Sequence, residues 1–430
     1  MKDASISAMR RRLFLKQTFA GSAAAMVFPA WASAEENKSF PDLCRHLAEK
    51  SPAEEAYWEM VKKQFPVSGH TMMVNAANLC PSPHFVNEQV NASFAGLEKD
   101  LSFQYRAAFS EERSLALQKL ADFLHVSESE VGITRNTSES NNIIVHGLDL
   151  KKGDEVVLWE QNHPTNGIAW EEQAKRFGFK VKWVALPTTP ASIAELIQPF
   201  ADAITSKTRL LSFSHISNVS GLALPAKELC MLAKEKGILS MVDGAQSFGV
   251  IDIDLQSIGC DFYTGSMHKW LMGPLENGVV YMRGDVKDQV WPSVVGAGWK
   301  PDSTSVDAKF CVLGQRNDTT ASAISNILDF HMAIGKKQIN ERSTQINTYL
   351  KQQLKAGIPQ VQFVTPVDEA LSAGVTIIRI PDTDSAAIYN KLYSDYQIAC
   401  APTGGLRFSP HIYNTLADMD RIVEVLTEVV

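Results

Sequence analysis

The sequence predicts an α/β protein, with a large domain built on a mainly parallel, mixed sheet between helices and a smaller α+β domain after it. Short apolar segments between residues 131 and 282 alternate with segments of helical periodicity, as in parallel strands joined by helical crossovers. After Gly314 the pattern changes to a long helical stretch, shorter strands and a final helix. A chain of 430 residues, 45% of them hydrophobic, is long enough for a large core.

The elements of the large domain are predicted from the spacing of their apolar residues. Strands appear as short runs rich in β-branched and aromatic residues, and helices as apolar residues three and four positions apart. The predicted strands are 131–134, 155–159, 180–184, 209–213, 239–242, 261–264 and 278–282. The predicted helices are 114–124, 139–147, 166–177, 193–204 and 226–236. Ligands of such sheets bind at the carboxyl ends of the strands, so polar residues there are candidates for a site.

The flanking regions complete the predicted domain organisation. A helical stretch at 321–355, strands at 361–364, 375–379, 397–401 and 406–409, and a helix at 416–429 form the small domain. Helical segments broken by prolines, then a short strand at 72–74, precede the large domain. The resulting division is a signal peptide at 1–34, a segment at 35–80 that packs near the small domain, a large domain at 81–318 and a small domain at 319–430.

The N-terminus predicts an export signal rather than part of the fold. Arg11 and Arg12 precede Leu-Phe-Leu-Lys, an uncharged and mildly apolar stretch follows, and small residues at 32–34 form a cleavage site. This order is typical of a twin-arginine (Tat) signal; a basic tail before a weak helix is the alternative. No other stretch has the roughly 20 apolar residues of a membrane span. We therefore expect the Tat translocase as a partner, a periplasmic location and no stable membrane insertion after cleavage.

Charge and cysteine usage exclude other classes of partner and site. A net charge of −7 and a pI near 5.8 argue against nucleic acid as a partner. The six cysteines are scattered without CxxC spacing, so neither a zinc site nor a disulfide framework is expected. One disulfide in an oxidising compartment is left open.

Lys269 follows the predicted strand at 261–264, with Ser266 and His268 beside it. A methionine and a tryptophan flank this group, so the ammonium is expected to be partly removed from water. Desolvation lowers the pKa of a lysine and makes its amine available as a nucleophile or base. We therefore predict that Lys269 forms a Schiff base with pyridoxal 5'-phosphate.

Other strand ends also carry polar residues. The Asp243 carboxylate needs a partner; a protonated pyridine nitrogen would provide one, and a cap on the following turn is the alternative. Thr137 and Ser138 open a helix, where a phosphate group would be favoured or where they act as ordinary N-caps. His163 would stack on a planar ring or cap the next helix.

Together these motifs resemble the class V aminotransferase family of fold type I pyridoxal-phosphate enzymes, which includes cysteine desulfurases, kynureninase and isopenicillin N epimerase-like proteins. The resemblance covers nearly all of the chain after the signal. The motifs, in order, are Asn136-Thr137-Ser138-Glu139-Ser140-Asn141-Asn142, Asn162-His163-Pro164-Thr165-Asn166, Ser214-His215-Ile216-Ser217-Asn218, Val242-Asp243-Gly244-Ala245-Gln246-Ser247, Ser266-Met267-His268-Lys269 and Arg407-Phe408-Ser409-Pro410-His411-Ile412-Tyr413-Asn414.

The resemblance implies a role for each matching residue. Lys269 matches the lysine that binds the cofactor covalently, Asp243 the partner of the pyridine nitrogen, and Gln246 the donor to the phenolic oxygen. His163 matches the residue that stacks on the ring and, with Lys269 and Asp243, makes up the predicted catalytic set. The residues that match the phosphate site are Thr137, Ser138, Ser266 and His268.

The resemblance also implies substrate contacts and a dimer. Arg407 matches an arginine that binds a substrate α-carboxylate through a bidentate fork, where a surface or interdomain ion pair would otherwise be expected. Asn75 is a candidate for a second substrate contact, with a turn-forming role as the alternative. The family often has Gly-Thr where this chain has Gly314-Gln315, and that threonine reaches the phosphate of the neighbouring subunit. Gln315 would donate from its amide instead, across a homodimer.

The family does not fix the reaction, but export narrows it. A Tat-exported enzyme of this kind resembles the pyridoxal-phosphate enzyme that modifies the siderophore pyoverdine after export, so we expect modification of its glutamate side arm to a succinamide form. The substrate would be a small molecule or peptide with a free amino-acid group. Alternatives are a periplasmic aminotransferase or epimerase for another amino acid or peptide, a cysteine desulfurase that uses Cys400, and a binding protein without catalysis. Cys400 ends an apolar strand pattern, which disfavours a mobile thiol.

Overall fold

A computed structural model describes residues 39–67, 69–188 and 190–430 of the chain. The predicted signal peptide at 1–34 lies outside the described residues. Within the described ranges, no helix has the length and apolar character that a membrane span requires.

The large domain contains a seven-stranded sheet, and the small domain contains the shorter strands. The strands are β1 (Met72–Met73), β2 (Val131–Thr134), β3 (Glu155–Trp159), β4 (Lys180–Val184), β5 (Thr208–Ser214), β6 (Leu239–Asp243), β7 (Phe262–Ser266), β8 (Gly278–Met282), β9 (Gln362–Phe363), β10 (Thr376–Arg379), β11 (Ile398–Ala399) and β12 (Leu406–Phe408).

Helices cover both faces of the large sheet and form much of the small domain. They are α1 (Phe40–Glu49), α2 (Glu55–Lys62), α3 (His84–Lys99), α4 (Phe103–Leu124), α5 (Thr137–Gly147), α6 (Pro164–Phe177), α7 (Ala194–Ala203), α8 (Ala226–Glu235), α9 (Leu255–Ile258), α10 (Val306–Phe310), α11 (Ala321–Ile334), α12 (Lys336–Gly357), α13 (Ser385–Ser394) and α14 (Leu416–Val429). Short 3-10 helices lie at Glu128–Glu130, Lys287–Gln289, Asp318–Thr320 and Glu369–Leu371.

The large sheet has the strand order β2-β8-β7-β6-β5-β3-β4. Strands β4, β3, β5, β6 and β7 run parallel to one another, and β8 is antiparallel to both β7 and β2. Every residue of β2, β7 and β8 is buried, as expected for strands with helices on both faces. The edge strand β4 is instead exposed at Lys180 and Trp183 and buried only at Val184. This arrangement confirms the predicted mainly parallel, mixed sheet between helices.

The segment before the large domain is attached to the small domain. Strand β1 pairs in parallel with β11, and the small domain also contains an antiparallel sheet of order β12-β10-β9. Asn75 continues this contact through a parallel bridge to Ser409. Two ion pairs add to it, Lys62 with Asp418 and Arg342 with Glu55.

Most predicted strands match the structure, and the helices differ in several places, with no predicted counterpart for α3 or α13. Strands β2, β3, β4 and β8 have the predicted bounds, and the others differ by a residue or two at an end. The single helical stretch predicted at 321–355 is wrong: it is two helices, α11 and α12, separated by Gly335, whose φ of 100° is incompatible with a continuous helix. Helix α4 begins at Phe103, well before the predicted start at 114.

Candidate active site

Lys269 lies in a tight turn directly after β7. The turn is closed by two backbone hydrogen bonds of 2.8 Å, from the Met267 amide to the Asn277 carbonyl and from the Gly273 amide to the Met267 carbonyl. The side chain of Lys269 is half-buried, and among the described residues its amine has no hydrogen-bond or ion-pair partner. Burial lowers the pKa of Lys269, against an opposing effect of the Asp243 carboxylate. The structure therefore places an amine of reduced basicity where the sequence predicts one.

Asp243 ends the neighbouring strand β6 and is almost fully buried. Its Oδ1 accepts from the Ala245 amide at 3.0 Å, so it caps the following turn, which is the alternative role left open by the sequence. Its Oδ2 accepts from Nδ2 of Asn141 at 3.0 Å, and the Asn141 Oδ1 accepts from the Thr264 hydroxyl at 2.7 Å. A carboxylate has further lone pairs, so both contacts are compatible with a third donor such as a pyridinium nitrogen.

The N-terminus of α5 faces the end of β7. Here the capping residue is Asn136, whose side chain accepts from the Glu139 amide at 3.0 Å, and not Thr137 or Ser138. The Thr137 amide and hydroxyl both contact Oγ of Ser266, at 2.9 and 2.6 Å. Ser138 occupies the second helical position and is half-buried. Two hydroxyls at the start of a helix, where the helix dipole is positive, form a site that suits a phosphate.

His163 is the N-cap of α6, with its Nδ1 2.8 Å from the Thr165 hydroxyl and 3.3 Å from the Thr165 amide. Burial lowers its pKa, while the charges of Asp243, Lys269 and Arg407 also act on it. Those influences indicate that the four groups lie in one neighbourhood. Capping uses only Nδ1, so the neutral ring keeps its faces for stacking.

Gln246 has an amide whose orientation is fixed by its neighbours. The Trp270 indole donates to Oε1 at 2.9 Å, and Nε2 donates to the Ala77 carbonyl at 2.8 Å. Because an indole N–H can only donate, the amide oxygen must face Trp270, and one N–H of the amide remains for a ligand oxygen. This is compatible with the donor role that the family resemblance implies.

Arg407 lies on β12 and is buried without an acidic partner. Its Nη1 donates to the Asn218 carbonyl and its Nη2 to Oδ1 of Asn75, both at 3.1 Å, and Nε has no partner among the described residues. Burial lowers its pKa to about 10, so the guanidinium stays charged at neutral pH. Within the described ranges, Arg407 makes neither the surface nor the interdomain ion pair considered as its alternative. Asn75 contacts the arginine itself, which makes it a support for Arg407.

The remaining predicted residues lie on two sides of the site. His268 precedes Lys269, is half-buried, and has a buried Nδ1 without a partner in the described part of the chain; burial lowers its pKa to about 4. Its carbonyl accepts from the Cys80 amide at 2.9 Å. Gln315 is exposed, and its Oε1 accepts from Arg106 at 3.2 Å. Gln315 is therefore not brought against the phosphate residues of its own chain by any described contact.

Sequence reasoning missed several residues that the structure adds to the site: Asn141, Thr264, Trp270 and Asn218. Asn141 offered one signal, because it lies one helical turn after Thr137 on the buried side of α5. The others carried none, since a threonine in a strand and a tryptophan in a core have ordinary structural roles.

The model of the family described as Aminotransferase class-V matches residues 92–422 of the chain. The chain belongs to this family. Isopenicillin N epimerase from Amycolatopsis lactamdurans is 29% identical to it over 392 residues, which cover 86% of this chain and 98% of that protein. A probable cysteine desulfurase from Methanothermobacter thermautotrophicus is 27% identical over 404 residues, with 86% and 98% covered. A solved structure of C-DES, with glycine covalently linked to the PLP cofactor, superposes with a TM-score of 0.78 at 22% identity, covering 85% of this chain and 99% of that one.

This class V chain is thus a fold type I enzyme, and its cofactor is pyridoxal phosphate. The residues present fit that group: an amine without a partner, a buried carboxylate, and paired hydroxyls at a helix N-terminus. When bound, the cofactor supplies an electron sink for charge that develops at a substrate Cα.

Each protein group has a defined task in that chemistry. Asp243 would hold a proton at the pyridine nitrogen, and Thr137 and Ser266 would donate to the phosphate. Arg407 would bind a substrate carboxylate, with Asn75 and the Asn218 carbonyl fixing its orientation. The Lys269 amine, with a pKa lowered by burial, would accept or return a proton at Cα.

Proposed function

We propose that this enzyme is exported to the periplasm by the Tat pathway and converts the glutamate side arm of pyoverdine to a succinamide form. The observation that carries the proposal is the pair formed by Lys269 and Arg407. The segment after β1 contacts the buried Arg407 guanidinium through Asn75 and the Lys269 turn through the Cys80 amide. Together Lys269 and Arg407 suit a substrate with free α-amino and α-carboxyl groups, as on that side arm. The Arg11-Arg12 pattern supports export.

The state of the cysteines supports a reaction other than desulfuration. Every cysteine of the chain is buried, and burial raises the pKa of Cys400 to about 12. A desulfurase needs a reactive thiolate that can reach the substrate, and a thiol of this kind is neither ionised nor exposed. We therefore expect Cys400→Ala to retain activity toward an amino-acid substrate. Loss of that activity in Cys400→Ala would favour the desulfurase.

A second candidate is epimerisation or transamination of another amino acid or peptide in the periplasm. It is favoured by the 29% identity to isopenicillin N epimerase over nearly the whole of that protein. The candidates share the need for Lys269 and Arg407 and differ in the product. An epimerase returns the amino acid with inverted configuration, and a transaminase replaces its amino group with a keto group. Conversion to a succinamide form instead releases the α-carboxyl carbon as CO2 and keeps the nitrogen as an amide, in an oxidation that consumes a co-substrate such as O2.

The deciding experiment is a deletion strain. Mass spectrometry of its secreted siderophore should find the glutamate form in place of the succinamide form, and wild-type protein supplied in trans should restore conversion. An unchanged side-arm composition would refute the pyoverdine role. A double variant, Arg11→Lys with Arg12→Lys, should fail to restore conversion while remaining folded and cofactor-loaded in the cytoplasm, which separates export from catalysis.

Catalysis itself is tested on purified protein. It should be yellow, borohydride should fix the cofactor to Lys269, and Lys269→Ala should lack both properties. A chain that only binds its ligand would give a different result, because Lys269→Ala would then support side-arm conversion as well as the wild type. A protein that stays colourless after incubation with pyridoxal phosphate would contradict the enzyme assignment.

We further propose that the enzyme is a homodimer. Gln315 lines a cavity of about 880 Å³ together with Arg135 and the exposed apolar side chains Leu79 and Leu275. Exposed apolar groups beside an open cavity are typical of a subunit contact. Light scattering should give twice the chain mass, and Gln315→Ala should weaken cofactor binding only if the residue reaches the partner's phosphate site. A monomer at micromolar concentration would contradict the dimer.

A further inference from the structure

Behind Asp243 lies a row of three buried polar side chains, Asp243, Asn141 and Thr264. Asn141 and Thr264 are fully inaccessible to solvent, and Asp243 is 2% exposed. A buried polar group without a hydrogen bond destabilises the fold, so the hydrogen bonds between these three side chains determine how they are oriented. Of the three, only Asp243 belongs to the set of residues that the family resemblance assigns to the cofactor.

The hydrogen bonds of this row have only one consistent direction. A carboxylate can only accept, so Nδ2 of Asn141 must face Oδ2 of Asp243, at 3.0 Å. The Asn141 Oδ1 then points to the Thr264 hydroxyl at 2.7 Å, and the hydroxyl must donate its single proton. Without that hydroxyl, the Asn141 amide can rotate so that its oxygen faces the Asp243 carboxylate.

The row also connects the elements that form the rest of the site. Asn141 is on α5, one turn after Thr137, whose hydroxyl contacts Ser266. Thr264 is on β7, just before Ser266 and the Lys269 turn, and it pairs directly with Asp243 of β6. A displacement of Asn141 would therefore move the carboxylate relative to both the helix start and the lysine.

We infer that Asn141, oriented by Thr264, is a positioning residue that keeps the Asp243 carboxylate directed at the pyridine nitrogen of the cofactor. The inference rests on the role that the family resemblance implies for Asp243 and is independent of which substrate is converted. Asn141 acts through Asp243 and does not itself touch the cofactor. Its effect is to keep the proton on the ring nitrogen, on which the electron-sink property depends.

Two variants change this row with little change in volume. Thr264→Val removes the hydroxyl, and Asn141→Asp replaces the amide with a second carboxylate. Two carboxylates at 3.0 Å do not both ionise, so one of the two carboxyl groups in Asn141→Asp should carry a proton. Thr264→Ser keeps the donor and should behave as the wild type.

The readouts are made on cofactor-loaded protein without substrate. The visible absorbance of the bound cofactor, followed against pH, should have its midpoint about one pH unit higher in Thr264→Val and Asn141→Asp, because a ring without its nitrogen proton withdraws fewer electrons. The dissociation constant of pyridoxal phosphate should rise roughly tenfold as a charge-assisted hydrogen bond is weakened. These results would be unaffected by failure of the pyoverdine proposal.

The small domain offers a matched control. There the Thr376 hydroxyl donates to Oδ1 of Asn347 at 2.9 Å, and both residues are buried in the same way. Thr376→Val should lower stability by a similar amount and leave the absorbance midpoint and cofactor affinity unchanged. If Thr264→Val and Asn141→Asp also lose only stability, with wild-type midpoint and affinity, Asn141 is a structural residue and the inference is wrong.

Discussion

Arg407 is a buried cation to which the described chain offers no carboxylate. Its guanidinium donates to a backbone carbonyl and to the oxygen of Asn75, both neutral acceptors. Burial of an unpaired charge is unfavourable, and the lowered pKa of about 10 reflects this. A ligand carboxylate would relieve the penalty, so the residue is suited to binding and contributes little to folding.

Replacement of Arg407 by lysine should separate charge from geometry. The variant keeps the charge but loses the planar fork, and the dissociation constant for L-glutamate, followed through the cofactor absorbance, should rise about 10- to 100-fold, as expected for a charge-assisted bidentate contact. Asn75→Ala should give a smaller increase, since it removes only a support of the guanidinium. The control is Arg379→Lys, an exposed arginine on the neighbouring strand. Unchanged affinity in Arg407→Lys would contradict the carboxylate role.

Residue types at strand ends drew attention to two charged groups of the candidate site. Lys269 and Asp243 stand out in sequence because a charge in an apolar setting needs an explanation, whereas the role of Arg407 was implied only by the family resemblance. Neutral groups that orient them carry no such signal. The Asn218 contact uses a backbone carbonyl, which every residue has, so no substitution pattern or spacing in one sequence distinguishes it.

At the scale of elements, the N-terminal helix α2 is fixed to the small domain by one buried arginine. Arg342, on α12, is fully buried, and its Nη1 and Nη2 each lie 2.7 Å from an oxygen of Glu55. The same carboxylate accepts from the Leu416 amide at the start of α14, at 3.0 Å. Glu55 thus connects three helices.

Glu55→Gln should destabilise the fold strongly. The neutral amide leaves a buried guanidinium without its counter-charge, and because the Glu55 carboxylate is itself partly exposed, the expected cost is about 2 kcal/mol. The adjacent Glu54, which is exposed and caps α2 without a side-chain hydrogen bond, provides the matched control in Glu54→Gln. Urea unfolding should give a lower midpoint for Glu55→Gln alone. Equal midpoints for the two variants would mean that Arg342 finds another acceptor.

Element types were predictable from periodicity, and their junctions were not. The positions of strands bounded by turn residues were predicted correctly because the pattern of apolar residues in a strand is a local property of the sequence. The break between α11 and α12 depends on the backbone of Gly335, and an isolated glycine within a helical pattern does not by itself mark the end of a helix. Helix α3 and the first half of α4 were missed because exposed apolar residues such as Phe94 and Phe103 obscure their periodicity.

At the scale of the whole molecule, two buried histidines contact the backbone of the turn that carries Lys269. Nε2 of His331, on α11, contacts the Leu271 carbonyl at 3.0 Å, and Nε2 of His411 contacts the Trp270 carbonyl at 2.7 Å. A carbonyl only accepts, so Nε2 carries the proton in each ring, and each Nδ1 is buried without a partner in the described ranges. Both rings are therefore neutral in the folded enzyme.

These histidines should make the enzyme sensitive to acid. Burial lowers the pKa of His411 to about 4 and that of His331 to about 3, from 6.5 in an unfolded chain. Below pH 6.5 the unfolded state binds protons that the folded state does not, so stability present above that pH is lost as the pH falls toward 4. At pH 5 the loss is roughly 2 kcal/mol for each histidine.

Urea unfolding of the cofactor-loaded enzyme at pH 7.5 and 5.0 measures this loss directly. His331→Gln and His411→Gln should each be less stable than the wild type at pH 7.5, because a packed ring is lost, and each should lose about 2 kcal/mol less than the wild type on acidification. Cofactor release should follow the same pH dependence, since both rings support the turn that carries Lys269. If the variants and the wild type lose equal stability between the two pH values, other groups determine the acid response.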